Sequence, residues 1–387
     1  QMGPLNSFKQ LKNIEKNIKA TIEQGGKVRC GGKRSSVLNK GYYPEVLAAD
    51  SGGMVMTHCT STSGYDKYVL DNVINPNYLS SHRTHRQDPA STAVYDGFGT
   101  SGVVFHRGSA WNYQYQSAYA AAFKKRSKFF DIIKYSGNGV AGRSISHSLG
   151  CSPGMIWVKC TSNDSNWVVY HKARGAGKVM FINGTDAEQT NGRVFWGNDT
   201  TGVEPTASTI TLGSNTQVNG SGRDYIMYVW AHNANDGDFG INGNLDIIKA
   251  GSYVGSGGFD GPYVDVGFQP QWILIKGATN TSDWMVVNTE TNLTSTYTSS
   301  STNYMYTGRG FINTTDQVYN NVRNIRVFNT GFRATDSNSN WNASGVTYTY
   351  IAIRKPTRYI TENDLGEAHT TVYDSSYSRP ELLASGG

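Results

Sequence analysis

Charged side chains are what this sequence has least of. They make up 17% of 387 residues and leave a net charge of only +6, against about a quarter in an average soluble domain. That scarcity disfavours long solvated helices, while ample apolar and aromatic content excludes a disordered chain. The densest basic cluster, Lys124, Lys125, Arg126 and Lys128, falls between two apparent modules and reads as a solvated linker, so no specific nucleic acid is expected. No apolar run reaches the eighteen or so residues that span a bilayer, and no secretory signal peptide is visible, so no membrane insertion is expected. The chain begins with Gln1 rather than Met, which reads as a processed product or a fragment. The four cysteines, Cys30, Cys59, Cys151 and Cys160, form no CxxC and no metal-like spacing. A disulfide framework is therefore not expected, and a reducing assembly compartment fits. A G-x-S-x-G elbow and a phosphate-binding P-loop are also lacking.

What is abundant is Gly (44 residues) and Tyr (24), with much Asn, Ser and Thr. Gly and Asn tolerate positive φ, and Tyr, Thr and Val suit a pleated surface, so many short strands joined by tight turns are predicted. The exception is the N-terminus. Phe8, Leu11, Ile14, Ile18 and Ile22 recur at intervals of three and four, Asn6 or Ser7 can cap the run, and Gly25-Gly26 ends it. Such a helix cannot bury its own stripe, so it must pack on the body, on its copies in an oligomer, or on a partner.

Internal repeats organise the rest. MIWVKCTSNDSNWVVYHKA (Met155 to Ala173) matches WILIKGATNTSDWMVVNTE (Trp272 to Glu290): an apolar strand ending in Lys159 or Lys276, a polar turn, then Trp167 or Trp284 eight residues later. A weaker copy runs from Met54 to Val73, where His58 replaces the Lys, Tyr68 is read as replacing the Trp, and the turn is two residues longer. The flanks repeat in the same order: Lys134 to Pro153 with Ser252 to Pro270, FINGTDAEQ with FINTTDQVY, and NGSGRDYIMYVWAH with NASGVTYTYIAIR. Each unit is the length of an independent sandwich domain. Runs such as Ile156-Trp157-Val158, apolar on both parities, mark central strands covered on both faces.

The predicted architecture is all-β: three tandem antiparallel β-sandwich modules, jelly-roll-like, strung as beads behind one α-helix. The boundaries are a docking or oligomerisation helix (1–26), a divergent module (27–128), two further modules (129–235 and 236–356) and an extended tail (357–387).

Little in the sequence carries chemistry. His82 and His85 have i, i+3 spacing, but Arg83 and Arg86 beside them would repel a cation. The stretch from Asn235 to Asp238 lacks the distal Glu of an EF-hand. No metal, cofactor or catalytic residue is predicted. Trp157, Trp167, Trp272 and Trp284 read as core. The better binding candidate is the segment from Thr294 to Gly310, found in the third module only, low in charge and carrying Tyr297, Tyr304 and Tyr306 among Ser and Thr. Rigid aromatic faces beside small hydroxyls are adaptable recognition chemistry.

Taken together, the phrases YSGNG…HSLG…P, MIWVKCTS…NWVVYH, LGSN…VNGSG and the Tyr-led closing strand resemble the β-rich repeat of tail-fibre and other virion proteins of marine and cyanobacterial bacteriophages. The resemblance covers roughly Phe130 to Pro356, weakens from Tyr43 to Lys128, and is absent from the helix and the tail. It implies a virion structural protein, assembled in the bacterial host cytoplasm: a tail fibre or tail appendage involved in host attachment. A capsid decoration protein and a glycan-degrading tail enzyme are the alternatives. The expected partners are copies of the chain in a homo-oligomer, with a trimer favoured, other virion proteins through the helix, and a host surface glycan or protein.

Overall fold

The structure, a computed structural model, describes residues 52–59, 63–89, 95–99, 102–105, 118–239, 244–289, 295–299, 302–306, 308–318, 324–355, 358–360 and 371–373. The predicted helix with Phe8, Leu11, Ile14, Ile18 and Ile22 lies outside these residues. Among the described residues, helix is confined to a 3-10 turn, Gly192–Val194, and a single α turn, α1 (Thr216–Asn219). The rest of the regular structure is antiparallel β.

Repeat 1 contributes β1 (Gly53–Cys59), β2 (Tyr68–Asp71), β3 (Leu79–Ser80), the paired β4 (Tyr95–Gly99) and β5 (Gly102–Phe105), and β6 (Ala118–Lys124). Repeat 2 contributes β7 (Phe130–Ser136), β8 (Arg143–Ser146), β9 (Pro153–Cys160), β10 (Val168–His171), β11 (Met180–Phe181), β12 (Thr209–Leu212) and β13 (Asp224–Ala231). Repeat 3 contributes β14 (Ile248–Val254), β15 (Asp260–Asp265), β16 (Pro270–Gly277), β17 (Met285–Asn288), β18 (Ser295–Ser299), β19 (Thr302–Tyr306), β20 (Gly308–Phe311), β21 (Ile325–Phe328), β22 (Gly331–Thr335) and β23 (Thr347–Arg354). Beyond these, β24 (Arg358–Ile360) pairs with β25 (Thr371–Tyr373) in the stretch expected to be an extended tail.

The main sheets run β3-β2-β1-β6, β11-β10-β9-β13-β7 and β20-β17-β16-β23-β14. Strand for strand these are one order, so the sequence repeat is a repeat of topology. Among the described residues, the first sheet lacks the edge strand that β7 and β14 add to the others. β9 is buried at all eight positions and β13 at all but Asp224. A strand with neighbours on both sides and cover on both faces selects apolar residues at nearly every position, Lys159 in β9 being the exception, whereas β15, in a small sheet with β22 and β21, is buried only at Gly261 and Val264. In repeat 3 the two sheets face each other across one core. Ile273, Ile275, Met285 and Val287 of the main sheet meet Val264, Ile325, Phe332 and Ala334 of the small one.

The repeated flanking phrases encode one polar lock, made twice. Asn219, fully buried, donates through Nδ2 to the Val140 and Gly213 carbonyls (2.9 and 3.0 Å) and accepts from the Asn138 N–H. Asn342 does the same with the Gly258 and Asp336 carbonyls and the Ser256 N–H. Beside each lies a stacked tyrosine pair, Tyr135 on Tyr225 and Tyr253 on Tyr348, with ring centroids 5.2 and 5.3 Å apart. Tyr348 donates to the Ser339 carbonyl at 2.8 Å and accepts from the Ala343 N–H at 2.9 Å. Tyr225 bridges Thr216 and Gly220 in the same way. Tyr348→Phe removes both hydrogen bonds of this buried phenol, whose partners are partly open to water, and it should cost about 1–2 kcal/mol in a denaturant titration. A midpoint unchanged from the parent would show that the lock contributes nothing.

Pro44–Gly237 and Asp246–Lys355 make up one compact unit, and the remaining segments another. The expectation of beads on a string is therefore corrected. The repeats bury polar and apolar surface against one another, and beads would leave that surface in water.

Candidate recognition hairpin and the seams between repeats

The first two strands of each main sheet, in the order given above, are joined by residues 72–78 in repeat 1, 172–179 in repeat 2 and 289–307 in repeat 3. The extra length in repeat 3 carries a hairpin, β18 paired with β19, between two strands that are themselves paired, β17 and β20. The register sets Tyr297 opposite Tyr304 and Ser295 opposite Tyr306. Opposed residues share a face, and so do residues two apart along a strand. All three tyrosine positions therefore fall on one face of the ribbon. The sequence singled out these residues by composition, and the register places them together.

The histidines have structural surroundings. His82 Nε2 lies 3.1 Å from Asp66 Oδ1, which also pairs with Arg83. Burial lowers the His82 pKa, and Asp66 opposes it. The Ala173 N–H donates to Nδ1 of His171, so its Nε2 carries the hydrogen and donates to the Tyr350 carbonyl of repeat 3 at 3.0 Å. Burial holds this imidazole near pKa 4. Asp236 takes an ion pair from Lys128 and the Ala234 N–H. No group of three or more His, Cys, Asp or Glu among the described residues could hold a metal ion. Trp157, Trp167, Trp272 and Trp284 are buried, as core residues should be. Cys151 and Cys160 are buried free thiols.

Sequence reasoning missed the role of the strand-end lysines. Lys159 and Lys276 are completely buried. Lys276 Nζ donates to the Thr185 carbonyl of repeat 2 at 3.0 Å, and to Gly277 O and Ser282 Oγ of its own repeat. Lys159 Nζ donates to the Thr84 carbonyl of repeat 1 at 2.7 Å and to Ser165 O. The neighbouring tryptophans cross the same boundaries. Trp284 Nε1 donates to Phe181 O at 2.9 Å, and Trp167 Nε1 to Ser80 O at 3.0 Å. Backbone pairs complete the pattern, with the Ser282 N–H on Thr185 O and the Ser165 N–H on Thr84 O. Each of these two repeats thus presents a Lys–Trp socket to the Thr-centred loop, or plug, of the repeat before it. The one available signal was a buried-looking apolar strand that twice ends in Lys.

Repeat 1 closes the circle onto repeat 3. The Gly64 N–H donates to Thr315 O at 2.8 Å, Ser81 Oγ to Ile312 O at 2.5 Å, and Lys67 Nζ to the Asp316 carbonyl. The strand register also corrects the repeat alignment. Val69 pairs with Met56 as Val169 pairs with Trp157, so Lys67, not Tyr68, stands where Trp167 and Trp284 stand. The longer turn displaced the count by one. Where the repeats meet, Phe123 of repeat 1 makes edge contacts with Trp230 of repeat 2 and Trp272 of repeat 3, at 5.8 and 5.3 Å. Tyr228 Oη of repeat 2 donates to Asp71 of repeat 1 at 2.5 Å.

Residues 117–356 match the family described as a domain of unknown function, DUF7483. The chain belongs to this family. No curated protein and no solved structure matches it. The DUF7483 match runs from β6 to the end of β23 and so contains two of the three sockets and the tyrosine hairpin, while β1, β2 and β3 lie outside it.

Proposed function

We propose that this protein is a bacteriophage virion structural component, a tail-fibre or tail-appendage protein. In this reading it is attached to the particle through residues 1–26, assembled as a homo-oligomer, and takes part in host attachment. The three sheets with their covering strands are read as three tandem sandwich modules of jelly-roll type. The observation that carries the reading is the hairpin β18–β19. It is inserted in one repeat of three, is low in charge, and has Tyr297, Tyr304 and Tyr306 on one face. A rigid repeated body supplies the mount, and the tyrosines with neighbouring Ser and Thr supply stacking faces and hydrogen-bonding groups for a host surface glycan or protein. The phrases shared with virion repeats supply the biological setting.

An antibody fragment raised against residues 294–310 and imaged on purified particles tests this. Label at the outer tip of a tail appendage, with adsorption blocked, is the expected result. Label spread evenly over the head would replace the reading with a decoration protein. Changing Tyr297, Tyr304 and Tyr306 together to Ala should weaken adsorption by roughly 30-fold or more, since even one hot-spot aromatic contributes about 2 kcal/mol or more. The unfolding midpoint should not move. Adsorption equal to that of the parent would sink the role of the hairpin.

A further inference from the structure

The three seams repeat one design, and beyond Lys67 in place of the tryptophan the closing seam departs from it at one more matched pair. The register of β3, β11 and β20 on their neighbours makes Leu79, Met180 and Gly310 equivalent, since they pair with Val69, Val169 and Val286. On the socket side the equivalent residues are His58, Lys159 and Lys276, each the next-to-last residue of β1, β9 or β16. Two seams therefore join a lysine socket to a plug carrying Leu79 or Met180. The third joins a buried imidazole to a plug with no side chain. A Cβ built on Gly310 would lie 2.2 Å from Cε1 and 2.5 Å from Nε2 of His58. Those distances are far inside van der Waals contact, and both residues are buried.

We infer that His58 and Gly310 form a size-matched key that lets the socket of repeat 1 take the plug of repeat 3 and refuse the plugs carrying Leu79 or Met180. Specificity of this kind comes as much from the clash built against wrong partners as from contacts made with the right one. It matters here because a plug-and-socket contact is heterologous. Such contacts generate open chains unless the geometry closes them. With the key in place the three repeats close within one chain. No socket is left for the plug of a second copy, and repeat 1 cannot pair out of order.

The test uses the full chain and reads each seam through one amide: Gly64 for the closing seam, Ser165 and Ser282 for the other two, all bonded to a Thr carbonyl across the boundary. Gly310→Leu copies the plug of repeat 1. Hydrogen exchange at Gly64 should quicken by roughly tenfold or more as that seam opens, with Ser165 and Ser282 unchanged. The double change His58→Lys with Gly310→Met recreates the socket and plug residues found between repeats 3 and 2, and it should restore protection at Gly64. Unchanged exchange at Gly64 in Gly310→Leu would overturn the inference. So would a loss of protection at all three amides together, or a double variant no better protected than the single one.

Discussion

Trp284→Ala is expected to destabilise the compact unit by about 3–5 kcal/mol, a large part of the stability of an ordinary domain. The indole is 1% exposed and immediately precedes β17. Its Nε1 bonds the Phe181 carbonyl of repeat 2, and its backbone N–H bonds Asn313 Oδ1. Truncation removes apolar contacts from both sides of a seam, leaves a cavity, and strands the Phe181 carbonyl. Trp284→Phe separates these effects. It keeps most of the buried area and loses the hydrogen bond, so it should fall about 1–2 kcal/mol short of the parent. Urea titration followed by tryptophan fluorescence measures both, and the equivalent Trp167→Ala should behave alike. A Trp284→Ala midpoint within experimental error of the parent would mean that the seam contributes little to the fold.

Raising the pH from 8 towards 10 should stabilise the fold. Burial pushes the ammonium groups of Lys159 and Lys276 down to about 8 from an ordinary 10.5. Between those values the unfolded chain binds more protons than the folded one, so stability rises with pH across that window. One-proton linkage gives roughly 2–3 kcal/mol per lysine by pH 10. At pH 7 both ammonium groups are charged in either state and the slope vanishes. Buried tyrosines set the upper limit. Burial holds Tyr225 and Tyr350 up at about 12, and a raised acid of this kind withdraws stability once the unfolded phenol ionises above about 10. The expected profile is therefore a rise from pH 8, a maximum near 10, and a fall beyond it. Lys276→Met, close in shape but without charge, should remove about half of the rise. A flat profile from pH 7.5 to 10 would show that the amines keep ordinary pKa values.

Two kinds of information lay in the sequence in different amounts. Strand identity was legible because a β-strand covered on both faces is apolar at almost every position, as in β9 before Lys159 and in β13 after Asp224. The repeat was legible because Asn219 with Tyr225, and Asn342 with Tyr348, make short-range polar locks whose residue types and spacing cannot drift without losing buried hydrogen bonds. The tyrosine-rich insertion stood out by composition. Its single-faced arrangement did not, since that depends on which residue of β18 opposes which of β19.

The sequence by itself determined an antiparallel all-β chain built on a repeated strand order, with Trp157, Trp167, Trp272 and Trp284 in the core. Tertiary structure alone decided that the repeats pack into one body through Lys159, Lys276 and Lys67. It also decided that Lys67 rather than Tyr68 holds the tryptophan position, and that His58 meets Gly310. The physical reason is range. Burial pattern and turn chemistry act between residues close along the chain, and composition records them. A buried lysine answered by a carbonyl some 75 to 249 residues away looks, in one dimension, like any other surface charge.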